Sequence, residues 1–216
     1  AVAFDGTTNH NATLTVTNAD YTAVQLQAIN NGTAGSITLN TTNTGISGTA
    51  AVLAEALAGS INHDGTVTVT NAPNVTQLKA INDGAGGAIT LQDVSGALSG
   101  SSGDLAAAFA GTVTEHTGTI AITNSDYSVA DLKTINAAST GAITFTTTDR
   151  ALSGSAADLA IAFDGTTNHN ATLTITNAPN VTQLKTINAG TGGSITLNDP
   201  SGALSGSSGD LAAAFA

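Results

Sequence analysis

Apolar and polar residues change their rhythm twice within a few positions, and the same change recurs four times along the chain. Thr66, Val67, Thr68, Val69 and Thr70 alternate, which on a pleated strand puts both valines on one face and the threonines on the other. Asn71, Ala72 and Pro73 stop the alternation, because proline has no N–H for a ladder and an Asn/Pro cluster favours a turn. Asn74 is placed to cap a helix. The apolar spacing then becomes three, at Val75, Leu78 and Ile81, and predicts a helix of two or three turns that Asn82, Asp83 and Gly84 bring to an end.

Beyond the helix a glycine-containing turn leads to a second short strand, Ile37-Thr38-Leu39 in the first copy. Its counterparts are Ile89-Thr90-Leu91, Ile143-Thr144-Phe145 and Ile195-Thr196-Leu197. An apolar-Ser-Gly step at Ile46, Leu98, Leu152 and Leu204 then leads into a second helix. Three copies open that helix with Ser-x-x-Asp (Ser101 to Asp104, Ser155 to Asp158, Ser207 to Asp210). The serine oxygen there accepts a backbone N–H, and the aspartate sits at the positive helix end. The first copy has Thr49 and Val52 instead. Leu105 with Phe109, four apart, predicts a narrow buried stripe among alanines, repeated as Leu53 with Leu57, Leu159 with Phe163, and Leu211 with Phe215.

The first threonine of each first strand, at Thr13, Thr66, Thr119 and Thr172, recurs every 53 residues. A fixed period of this size marks a solenoid or array. The expected fold is therefore an α/β repeat solenoid of four ~53-residue repeats, each with two short parallel β-strands and two short helices. Residues 1–216 form a single array, with repeats at approximately 6–58, 59–110, 111–164 and 165–216. Copies alternate before the first helix: Asp20-Tyr21 and Asp126-Tyr127 in the first and third, Pro73-Asn74 and Pro179-Asn180 in the second and fourth. Ala3 to Thr15 recurs letter for letter at Ala162 to Thr174, as in arrays that duplicate in blocks.

Composition narrows the function classes. Fifteen acidic residues against four basic ones give a net charge of −11, which argues against a nucleic-acid partner. No apolar run approaches the roughly 20 residues of a membrane helix, so no membrane insertion is expected. The chain has no cysteine, so its stability must come from the stacking of repeats.

All four histidines fall in one column, His10, His63, His116 and His169, in the linker before the first strand. Neutral imidazoles ligate transition metals, and Asn9, Asn62, Asp64, Glu115 and Asn168 lie beside them, so a metal row is one reading. The stronger reading is a solvated or hydrogen-bonding turn ladder produced by duplication, because a row lacks the clustered ligands of a structural zinc site. Calcium is weighed on Asp5, Asp64, Asp93, Asp149, Asp164 and Asp199 in loops. No run matches an EF-hand loop or an acidic glycine-rich nonapeptide, and Asp20, Asp104, Asp126, Asp158 and Asp210 read better as helix caps. No cofactor is therefore expected. Gly84 to Gly87 lacks the lysine of a phosphate loop.

Lys79, Lys133 and Lys185, with Arg150, are the whole basic complement and read as solvated helix faces. The sequons at Asn11, Asn31, Asn40, Asn74, Asn170 and Asn180 matter only in a host that glycosylates them. Polar residue types are spread evenly over the copies, so no catalytic constellation is expected and the protein reads as non-enzymatic.

The combination of strand, Val/Leu-x-x-Ile-x-x helix, Gly-Ala-Ile-Thr and Ala-Leu-Ser-Gly-Ser-x-x-Asp-Leu-Ala resembles the tandem repeats of long bacterial surface or adhesin-like proteins, notably aquatic and cyanobacterial-type ones, and of phage structural proteins. The resemblance covers the whole chain and carries over no functional residue. It implies an extracellular setting, on a cell surface or virion, and a structural segment of a fibre, filament or adhesin. The alternative is a carbohydrate- or metal-ion-binding surface module, with surface glycans as its partners.

The chain has no starting methionine or signal peptide and reads as a processed product, a fragment of a longer array or a unit within one. Ala1 to Phe4 match Ala160 to Phe163, and Leu211 to Ala216 stop at the same phase. Neither end carries the polar cap a solenoid end needs, so head-to-tail self-association into a filament is expected.

Overall fold

The computed structural model describes residues 10–39, 45–59, 61–111, 114–147, 150–165 and 168–216. Asp5, Asn9, Asn40 and Asp149, weighed above, lie outside them. Strands and helices run in the predicted order. The first copy holds β1 (Leu14–Val16), α1 (Ala23–Asn31), β2 (Ile37–Leu39), β3 (Gly45–Gly48) and α2 (Ala50–Ala56). The second holds β4 (Thr66–Val69), α3 (Val75–Gly84), β5 (Ile89–Leu91), β6 (Leu98–Gly100) and α4 (Ser102–Phe109). The third holds β7 (Ile120–Ile122), α5 (Val129–Ala137), β8 (Ile143–Phe145), β9 (Leu152–Gly154) and α6 (Ala156–Ala162). The fourth holds β10 (Leu173–Ile175), α7 (Val181–Gly190), β11 (Ile195–Leu197) and α8 (Ser208–Ala214). The chain is an α/β protein of four similar units of parallel strands and two helices each, repeating roughly every 50 residues, and no sheet closes among the described residues.

Alternation sets the register. Val67 and Val69 are fully buried, while Thr66 and Thr70 on the other face are exposed. The same phase recurs in neighbouring strands, so apolar residues align across each parallel sheet: Ile46 with Val67 and Ile89, Leu98 with Ile120 and Ile143, Leu152 with Leu173 and Ile195. Parallel partners cannot be joined by a tight turn. A helix makes each crossover.

One strand in each of the first three copies goes beyond the sequence expectation. The apolar-Ser-Gly step forms β3, β6 and β9, and each pairs with the first strand of the following repeat. The sheets therefore run β3-β4-β5, β6-β7-β8 and β9-β10-β11, straddling the repeat boundaries, while β1 pairs with β2. A step of three residues that includes serine and glycine has little strand character of its own. It becomes a strand because the neighbouring repeat supplies the ladder.

The chain divides into two compact units, Ala1–Gly96 with Ala107–Thr114 and Ala97–Ala106 with Glu115–Ala216. In the first, α2 packs on both α1 and α3 over a core that includes Leu26, Leu53, Leu57, Leu78 and Ile81. In the second, α6 packs on both α5 and α7 around Leu132, Ile135, Leu159, Phe163, Leu184 and Ile187. The leucine–phenylalanine stripe predicted for the second helices is buried at Leu105, Phe109, Leu159 and Phe163.

Helix starts obey the capping signals. Asn74 and Asn180 cap α3 and α7 and close capping boxes with Gln77 and Gln183. Thr22 and Ser128 do the same for α1 and α5 with Gln25 and Asp131. The reading of Asp20 and Asp126 as caps is corrected: they lie two residues before the caps, and their carboxylates accept from the side chains of Asn18 and Asn124. The first helix ends on the residues expected, with Asn82, Asp83 and Gly84 as its last three, and the Asn82 side chain also reaches the Ala107 carbonyl.

Candidate functional site: the histidine and asparagine columns

The linker before each first strand is fastened to the end of the first helix at its histidine. His10, His63, His116 and His169 each make an isolated parallel bridge, to Thr33, Ala85, Ser139 and Thr191. The histidine carbonyls accept N–H groups from the turn opposite, from Gly86 at 2.8 Å in the second copy, Thr140 at 2.9 Å in the third and Gly192 at 2.8 Å in the fourth. Thr33, Ser139 and Thr191 add hydroxyl donors to the same carbonyls.

These bonds agree with the hydrogen-bonding reading of each turn, and the solvated reading fails for three of the four histidines. His63, His116 and His169 are buried. The apolar residues that come after each histidine on the first strand draw the linker inward, and the ring goes with it.

Two of these rings have distinct partners. His63 Nδ1 lies 2.8 Å from the Tyr21 hydroxyl, and its Nε2 lies 3.4 Å from the Thr66 carbonyl. The tyrosine ring meets the imidazole edge-on at 5.8 Å. Burial pushes the His63 pKa below the ordinary histidine range, against a smaller pull upward from the Thr66 carbonyl and the Asp64 carboxylate. His169 sits among Tyr127, Phe145 and Phe163, and its Nε2 donates to the Arg150 carbonyl at 3.0 Å. The Arg150 N–H donates to the Tyr127 hydroxyl at 3.0 Å, so one residue's backbone joins the phenol to the imidazole.

Two asparagine columns hold α2, α4 and α6 at both ends and α8 at its C-terminal end. Asn71, Asn124 and Asn177 stand one threonine beyond the first strands and accept from the first N–H of the preceding repeat's second helix, at Ala50 (2.8 Å), Ser102 (2.7 Å) and Ala156 (2.8 Å). Asn30, Asn82, Asn136 and Asn188, in the last turns of the first helices, donate to carbonyls at the ends of the second helices, among them Glu55, Ala107, Asp164 and Ala213. Helix ends leave such groups without intrahelical partners. Neither column was singled out from the sequence, although both recur as a fixed Thr-Asn and a fixed Ile-Asn pair in every copy.

Asn136→Ala strips donors from two carbonyls, those of Ile161 and Asp164. It is expected to cost about 1–2 kcal/mol in denaturant unfolding, whereas Thr140→Ala, at an exposed turn position, should cost about 0.5 kcal/mol or less.

Charged residues are engaged in the same way. Lys133 pairs with Asp158, and Lys185 with Asp210 at 2.7 Å, each joining a first helix to the second helix of its repeat. Lysine donation, helped by Ser155 and Ser207, holds both carboxyls below the usual carboxylate range. In the first copy the acid is Val52 and the lysine is Gln27, and Gln27 instead reaches Glu55 at 2.6 Å. The pair changes together, so the contact is kept. Lys79 pairs with Asp83 on its own helix at 3.3 Å.

Among the described residues no three His, Asp or Glu side chains gather as metal ligands, and no helix is long and apolar enough to cross a membrane. No protein-family model, curated protein or solved structure matches the chain.

Proposed function

We propose that the chain is a structural repeat segment, a scaffold within an extracellular fibre, filament or adhesin. The observation that carries this reading is the use of the polar side chains: the asparagines, histidines and lysines described above are spent on joining strands, helices and repeats. The acidic, cysteine-free composition and the repeat pattern favour the extracellular setting.

The test is sedimentation of the isolated chain over a range of concentrations, with electron microscopy of the heaviest fractions. Concentration-dependent end-to-end species are the expected result. A monodisperse monomer at all concentrations, with no longer parent polypeptide in the source, overturns the reading. Calcium, zinc and a glycan panel should leave the melting temperature unchanged, because a ligand that binds only the folded chain raises it by mass action. A saturable rise would favour the binding module instead.

A further inference from the structure

We propose that the buried Tyr21–His63 pair is an acid-sensitive latch between the first and second repeats, closed while the imidazole is neutral and opened when it takes up a proton. The pair joins residues 42 positions apart, one just before α1 and one in the linker before β4. It is enclosed on both sides, with Tyr21 5% and His63 0% exposed.

The hydrogen-bond geometry selects a neutral ring. Nε2 faces a carbonyl, that of Thr66, and must carry the proton to bond with it. Nδ1 is then the acceptor and the Tyr21 hydroxyl the donor, at 2.8 Å. Protonation of Nδ1 removes the lone pair to which the Tyr21 hydroxyl donates, so the phenol must turn from donor to acceptor, and it places a positive charge where water is excluded. The titratable groups that face the ring are the Tyr21 phenol, which is neutral throughout the acid range, and the Asp64 carboxylate, which acts at a distance and is itself held by the Asn62 amide at 2.9 Å. Desolvation outweighs that carboxylate.

Linkage gives the sign. A histidine whose folded pKa lies below its unfolded value binds more protons in the open state, so the latch contributes fully above about pH 6.5 and is lost as pH falls below it. The limiting slope is about tenfold in the opening equilibrium per pH unit. Pro73 and Pro179 replace the tyrosine in the second and fourth copies, so that position offers a phenol to the next repeat's linker only in the first and third.

The experiment is amide hydrogen exchange on the full chain at pH 7.5, 6.0 and 5.0, corrected for intrinsic rates. It is read at Gly86 and Gly87, whose N–H groups donate to the His63 carbonyl. Protection there is expected to fall by up to about tenfold per unit below pH 6.5, ahead of the amides of β10. Tyr21→Phe keeps the ring and removes the donor. Its penalty should be present at pH 7.5 and shrink towards zero at pH 5.0, where the bond is already broken in the parent chain. His63→Gln should flatten the pH dependence. Equal Tyr21→Phe penalties at both pH values, or protection at Gly86 and Gly87 that does not change with pH, would overturn the proposal. The tyrosine variant leaves the histidine in place, so the comparison holds even if His63→Gln fails to fold.

Discussion

Gly141→Ala is expected to be among the most damaging single substitutions in this protein. A methyl group there would lie 1.8 Å from the carbonyl oxygen of Gly118 and 2.7 Å from its carbon. Both are backbone atoms of the linker that runs past the turn, so no side chain can swing aside. Relief requires the linker to move, and the Thr140 and Ser139 bonds to the His116 carbonyl move with it. Overpacking of this kind is expected to cost about 3 kcal/mol or more, a fall of roughly 6–12 °C in melting temperature for a chain of this length. Gly35, Gly87 and Gly193 face backbone at 2.0–2.2 Å in the same way. Gly103→Ala is the control. Nothing lies within 4 Å of its Cβ position in the first turn of α4, so the change should stabilise by roughly 0.4–1 kcal/mol. Thermal unfolding of the two variants in parallel decides the matter, and equal melting temperatures would contradict the close approach at Gly141.

Leu78→Ala should cost about 2–5 kcal/mol. The side chain is fully buried at the centre of the α3 stripe, with Val75 and Ile81 on the same face. Truncation removes its transfer energy and leaves a cavity in the core where α3 packs on α2. Thr68→Ala, half-buried on the other face of β4, should cost about 0.5 kcal/mol. Denaturant titrations of both variants test whether the core face of the repeat is the one described. Equal losses would place it wrongly.

These two predictions mark where the sequence was legible and where it was not. The Val67–Val69 alternation and the Val75–Leu78–Ile81 spacing are local patterns, and they gave the strand, the helix and the buried face directly. The Ser-x-x-Asp signal gave the second helix start, because capping is also local. What stayed hidden depends on partners far along the chain. β3, β6 and β9 are strands only beside the next repeat's first strand. Asn82 was legible as part of its helix's end, but its bond to the Ala107 carbonyl, 25 residues away, was not. Gly141 looked like ordinary turn chemistry, and only the approach of Gly118 explains why no other residue fits. His63 and His169 were placed in the right column but on the wrong side of the surface. The column itself was visible, and the burial was not, since an isolated histidine between polar neighbours gives no apolar pattern to read.

The pairing of each step strand with the first strand of the next repeat has a consequence for heredity. Because every three-stranded sheet draws on two adjacent copies, each cut made at a copy boundary splits the sheet that spans it, yet recombination that removes or adds one complete period restores every sheet wherever the crossover falls. The gene can therefore lengthen or shorten by misaligned exchange at any phase, and selection needs to guard only the size of the block. The letter-for-letter identity of Ala3 to Thr15 with Ala162 to Thr174, three periods apart, is what such exchange leaves behind. An engineer who wants one self-contained piece should likewise ignore the apparent copy boundary and excise 45–91, the stretch that carries all three strands of one sheet together with α2 and α3.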